Sequence, residues 1–154
     1  VPKTIPATAI ANIVYQPPQL YLVVPEKKDL PTYFDFVQKL ASLTSARLIN
    51  VSLELSKLLL EVPIAERTAI ILPSLKQLVT PSANQVIMLD KLEILFEPSL
   101  KSSPLDLLKA IGRKQVIIVV WPGTVQNGRL IYAEVDHPEY KNYPITDLTF
   151  IEAA

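Results

Sequence analysis

Short, continuous apolar runs alternate along this chain with stretches of helical spacing. Leu20–Val24, Arg47–Val51, Gln85–Leu89 and Val116–Trp121 are each of strand length. Most are apolar throughout rather than at every second residue. A strand reads that way when both of its faces are covered, as in a parallel sheet between helical layers. Between the runs, Tyr33, Phe36, Val37, Leu40 and Ala41 recur at helical spacing, and so do Leu55, Leu58, Leu59 and Val62. The pattern predicts an α/β three-layer sandwich with a mainly parallel sheet.

The local signals refine that expectation. Pro31 suits the first turn of a helix. Ser52 reads as the N-cap of a helix through Glu61, and Pro63 ends it. Glu66–Val79 reads as a helix kinked or broken at Pro73. Ser103–Pro104–Leu105–Asp106 is a helix start and Gly112 its stop. Asn127–Gly128 is a turn that leaves Arg129–Ala133 as a strand. Asp136–Tyr143 reads as a loop or one helical turn, and Leu148–Ile151 as a last strand. Residues 1–19 hold Pro2, Pro6, Pro17 and Pro18 and read as an arm, with a short helix over Ala7–Tyr15. Residues 20–154 then form one domain.

Composition narrows the chemistry. The chain has 154 residues, 49% of them apolar, enough for one sizeable core. Without cysteine it has no disulfide, thiolate zinc site or thiol nucleophile, and one histidine excludes a multi-His metal site. Lys+Arg and Asp+Glu both number 15, which lacks the basic excess of a general nucleic-acid binder. No apolar run approaches the roughly 18 residues of a membrane span. The opening Val-Pro-Lys-Thr does not read as a signal peptide. The expectation is a cytoplasmic protein that does not engage membrane. Zero net charge with a mean hydropathy of +0.29 suits a chain that meets a partner or itself.

Gln85–Leu89 ends in a single carboxylate, Asp90, and passes at once into Lys91–Phe96. A buried strand carrying Asp at its tip has the form of a Walker B element, in which the Asp holds Mg²⁺. Asp90 as the cap of a following helix is the structural alternative. A Walker A loop, G-x-x-x-x-G-K-[ST], belongs after the first strand. Here that stretch is Pro25–Glu26–Lys27–Lys28–Asp29–Leu30–Pro31–Thr32. Pro25 and Leu30 stand at the glycine positions and Pro31 at the lysine; only Thr32 fits. A non-glycine residue forced into left-handed geometry costs roughly 1–2 kcal/mol, and Pro31 removes both an ammonium and an N–H. If nucleotide is held at all, Lys28, Thr32, Asp90 and Glu93 are the residues for it, with Thr32 and Asp90 on the metal. Lys91 stands where many ATPases of this class carry a water-polarising Glu.

Other groups carry less. Lys27–Lys28 and Arg113–Lys114 are the basic pairs available to DNA, and an exposed turn is the plainer reading of the second. No G-x-S-x-G elbow accompanies His137, which reads as a hydrogen-bonding loop residue. Trp121–Pro122–Gly123 ends its strand at the ligand edge and either stacks on a base or partner or closes the core.

Asn50–Val51–Ser52–Leu53–Glu54–Leu55–Ser56, Leu89–Phe96, Trp121–Pro122–Gly123, Gly128–Glu134 and His137–Pro138–Glu139–Tyr140 through Tyr143–Pro144 follow one another in that order. In this the chain, over roughly residues 20–151, resembles the BrxF family, small P-loop proteins of type 3 bacteriophage-exclusion (BREX) systems. The resemblance implies a P-loop NTPase-like fold with an ASCE/AAA+-type core. It also implies a bacterial defence role beside a methyltransferase and a larger ATPase. Typical members carry the phosphate loop that this sequence lacks, so no lysine carries over. Trp121, Arg129, Tyr132, His137, Glu139 and Tyr140 lie in the tail motifs and are the candidate interaction residues. The reading is a non-catalytic, degenerate P-loop adaptor with no cofactor expected, binding other proteins of a phage-defence complex or itself and meeting DNA only indirectly. The alternatives are an Mg-ATP-binding switch or weak ATPase of the same system, and a DNA-contacting module.

Overall fold

The computed structural model describes residues 4–5, 20–25, 29–79, 86–113, 115–145 and 149–153. The expected helix over Ala7–Tyr15, and the side chains of Lys27, Lys28 and Lys114, lie outside the described residues.

Among the described residues the main sheet has six strands: β1 (Thr4–Ile5), β2 (Leu20–Pro25), β3 (Arg47–Asn50), β4 (Ile87–Asp90), β5 (Ile117–Val120) and β9 (Thr149–Ala153). Their order across the sheet is β1-β9-β2-β5-β4-β3, and every neighbouring pair is parallel. Helices α1 (Leu30–Thr44), α2 (Val51–Leu59), α3 (Arg67–Val79) and α4 (Pro104–Ile111) cover the two faces.

Strand pleating divides the core into two. Tyr21, Val23, Met88, Ile118 and Val120 meet Val37 and Leu40 of α1 on one face. Leu22, Val24, Ile87, Leu89, Ile117 and Val119 meet Leu55 and Leu59 of α2, Ile71 and Leu75 of α3 and Leu108 and Ile111 of α4 on the other. The fold is therefore α/β in three layers. The continuous apolar runs are explained by that double coverage: β4 and β5 are buried at every residue.

The α2–α4 face also carries a small antiparallel sheet that the sequence reading lacked. It orders β6 (Thr124–Gln126), β7 (Arg129–Tyr132) and β8 (Lys141–Pro144) as β6-β7-β8. Strand β8 falls where Asp136–Tyr143 suggested a loop or helical turn. Its sequence is polar because it pairs at a sheet edge, with Lys141 to Pro144 alternating between half-buried and exposed.

The structure decides several local readings. Asn50, not Ser52, caps α2, its side-chain oxygen accepting from the Leu53 N–H at 3.0 Å. Helix α3 starts at Arg67 and runs through Pro73. Pro73 and Ala69 are both exposed, so the hydrogen bond that Pro73 cannot make falls on the solvent side of the helix. Asp90 caps no helix: a 3-10 turn at Glu93–Phe96 follows it, whose N-cap Leu92 makes no side-chain bond. Ser103 does cap α4, its oxygen accepting from the Asp106 N–H at 3.4 Å.

Candidate functional site

In an open α/β sheet, ligands bind beyond the carboxyl ends of the strands where the connections diverge. Here the chain leaves β2 into α1 on one face, and leaves β5 through Trp121 into the opposite face. The divergence lies between β2 and β5, and Asp90 ends β4 beside β5.

Asp90 is only 7% exposed. A buried carboxylate is costly unless it is hydrogen-bonded, and the donor is the hydroxyl of Tyr33, from the first turn of α1, onto Oδ1. The Tyr33 phenol is pushed well above its ordinary range, by burial first, then by its bond to Asp90 and the charges of Asp90 and Glu93. It therefore holds its proton and serves as a fixed donor. Among the described residues no second donor reaches Asp90.

Lys91 has a left-handed backbone (φ 55°). Its carbonyl accepts from the Ser52 N–H at 2.9 Å and from the Ser52 hydroxyl at 2.7 Å. The same hydroxyl accepts from the Ile94 N–H at 3.1 Å. Ser52 thus pins the chain as it leaves β4. The Lys91 ammonium lies 4.9 Å from the centroid of the Tyr33 ring, within cation–π range. No ion pair joins Lys91 to Asp90. Tyr33, Phe34, Val37, Gln38, Leu48, Asn50, Asp90 and Lys91 enclose a recess of about 350 Å³.

The structure gathers only part of the expected nucleotide set. Thr32 is exposed and its hydroxyl donates to Asp29 Oδ2 at 2.6 Å, while Tyr33, one residue on, takes Asp90. Thr32 and Asp90 therefore bond to different partners. Among the described residues no group of three or more His, Cys, Asp or Glu side chains could hold a metal ion. Glu93 stays exposed as a residue. Its carboxyl is raised above the ordinary range by desolvation first and by the charge of Asp90, against the opposing pull of its backbone hydrogen bond and Lys91.

The tail residues separate into two roles. Trp121 is fully buried, so it closes the core and presents no face to a partner. Its Nε1–H donates to the Ile131 carbonyl at 3.1 Å. Its ring meets Phe96 and Tyr143 edge to face at 5.6 and 6.3 Å. Tyr132 stacks on Phe96 at 3.8 Å, which makes it part of the same joint between small sheet and main core. Burial, with Glu139 and Glu93 nearby, pushes the Tyr132 phenol up to about 12. Arg129 and Tyr140, by contrast, line a second recess of about 330 Å³ on the outer side of the small sheet. Arg129 donates to Asn142, which donates in turn to the Tyr140 hydroxyl at 3.0 Å. His137 is an exposed loop residue whose Nδ1 accepts from the Glu139 N–H at 3.0 Å.

The residue that sequence reasoning missed is Tyr33. It was legible only as one position of a buried helical face, because nothing local shows that the start of α1 meets a strand tip 57 residues away. Asn50 did carry a signal: a polar side chain ending an apolar run before a helix is a cap pattern.

Comparison of the chain with protein-family models, with curated proteins and with solved structures gives no match. Among the described residues no helix is long and apolar enough to cross a membrane.

Proposed function

We propose that the protein is a non-catalytic adaptor with a P-loop-like, ASCE/AAA+-type core, working in a BREX-like phage-defence complex. The observation that carries this reading is the Tyr33–Asp90 hydrogen bond. The carboxylate best placed to hold a metal instead ties α1 to the sheet. Pro31 at the lysine position and the diversion of Thr32 to Asp29 support it. So does the strand order, which sets β2 and the Asp90 strand on either side of β5, with α1 leaving the ligand edge. The defence setting rests on the resemblance to the BrxF family, and the partners it suggests are a methyltransferase and a larger ATPase of such a system.

Co-expression with those two proteins, followed by size-exclusion chromatography, tests the reading. Co-elution that survives both Thr32→Val and removal of nucleotide is expected. Elution of the protein alone contradicts an adaptor, and release of the partner by Mg·ATP favours the nucleotide switch.

A further inference from the structure

Strands β6 and β7 are joined by the two-residue turn Asn127–Gly128, and the last ladder pair before it sets Gln126 against Arg129. Both turn residues have positive φ, 50° and 71°, as a type I′ hairpin turn requires. The same pair is chemically labile. An asparagine side chain loses its amide when the backbone nitrogen of the next residue attacks it, which is one reason asparagine counts among the heat-sensitive residues. The attack is fastest where that next residue has no side chain in the way.

The structure leaves this route open at one described asparagine. Asn127 is exposed, and nothing among the described residues binds its side-chain amide. Gly128 has nothing within 4 Å of its Cβ position, so no packed neighbour hems in its nitrogen. Its N–H also lies beyond the ladder that ends at Gln126 and Arg129. Asn50 and Asn142 are committed elsewhere. The Asn50 side-chain oxygen accepts from the Leu53 N–H, and the residue after it, Val51, is β-branched and buried. Asn142 is held between Arg129 and the Tyr140 hydroxyl within β8 and is followed by Tyr143.

We propose that Asn127 is a site of spontaneous deamidation, which turns the β6–β7 turn into a mixture of aspartate and isoaspartate and makes the recess around Arg129 acidic. Hydroxide takes the Gly128 N–H proton, and the nitrogen lone pair forms a bond to Asn127 Cγ. The Cγ–Nδ2 bond breaks and the amide leaves as ammonia, closing a succinimide ring. Water then opens the ring at either carbonyl, and no oxidant or reductant is needed. Opening at Cγ gives aspartate. Opening at the backbone carbonyl gives isoaspartate, which routes the chain through Cβ and adds one carbon to the turn. Two contacts depend on the turn keeping its length: the Gln126–Arg129 pair, and the bond from the Ile145 N–H to the Gly128 carbonyl at 3.3 Å. Either product places a carboxylate in the recess where Glu134 already faces Arg129. The formal net charge of the chain falls from zero to one negative. The proposal stands apart from the adaptor reading, since it needs only this turn.

The test incubates the intact protein at mildly alkaline pH beside a synthetic peptide of residues 124–131, with isoelectric focusing and peptide mass mapping over time. An acidic form should accumulate, with the change at Asn127, isoaspartate among its products, and Asn50 and Asn142 intact. Gly128→Ala should slow the change at least tenfold. Asn127→Gly, which keeps a favoured type I′ pair, should abolish it. The peptide needs no altered protein, so the comparison stands even if a variant folds poorly. An unchanged Asn127 in the protein after the peptide has fully converted would overturn the proposal. So would equal conversion at Asn50 or Asn142, or an equal rate in a folded Gly128→Ala variant.

Discussion

The Tyr33 hydroxyl donates to Asp90 Oδ1, joining the first turn of α1 to the tip of β4 across a sequence separation of 57. The bond ties α1 to the carboxyl edge of the sheet. Its acceptor is charged and buried. Losing one partner of such a pair costs more than forming the pair gains. Tyr33→Phe is therefore expected to destabilise the fold by roughly 1.5–3 kcal/mol, the range for hydrogen bonds to charged groups. Urea unfolding at neutral pH measures it. A change within error would mean that the bond does not hold the edge.

Alkaline pH should weaken the protein through its phenols. Tyr33 is raised well above its ordinary value and Tyr132 to about 12, burial being the first cause of both. In the unfolded chain they ionise near about 10. The unfolded state therefore loses protons first as pH rises. The stabilising contribution is complete below about pH 10 and is lost as pH climbs toward the folded-state values. Urea midpoints between about pH 9 and about pH 11 should fall steadily, and Tyr132→Phe should flatten part of that fall. A flat profile in the parent protein contradicts the assignment.

Gly123 should tolerate no side chain. A Cβ there would lie 1.8 Å from the Ile131 carbonyl oxygen, the group that Trp121 Nε1 also binds. Backbone cannot yield as a flexible side chain does, so Gly123→Ala must push β7 off the core. The expected cost lies at or beyond the top of the roughly 1–3 kcal/mol of ordinary overpacking. Gly128 meets nothing within 4 Å at its Cβ position, and its strain comes from φ of 71° alone. Gly128→Ala should cost only about 1 kcal/mol. Thermal melts of the two variants give the comparison, and equal losses contradict this packing.

Trp121 is the single tryptophan and is fully buried. Its fluorescence should be blue-shifted and insensitive to iodide until the chain unfolds. Trp121→Ala should cost about 3–5 kcal/mol through the cavity it leaves among Phe96, Tyr143 and Leu130. Strong iodide quenching in the native state would show that the ring faces solvent.

The legible parts of the fold were those with one dominant local cause. Val116–Trp121 could only be a covered strand, and Ser103–Pro104–Leu105–Asp106 carries cap, proline and acid in their preferred places. Strand β8 was hidden because Lys141, Asn142, Tyr143 and Pro144 lie on an edge and show no apolar run. Ser52 misled because its hydroxyl serves a tertiary contact with Lys91 rather than its own helix. At the site, Asp90 was visible as a strand-tip carboxylate, whereas its partner was not. Tyr33 and Thr32 are adjacent in sequence, and only the packing of α1 decides which of them reaches Asp90.

Calorimetric titration of the intact protein with Mg·ATP tests the central claim most directly. With Asp90 held by Tyr33 and Thr32 by Asp29, no saturable heat is expected even at millimolar nucleotide. Micromolar binding that disappears in Asp90→Ala would contradict the account and return the edge of the sheet to nucleotide chemistry.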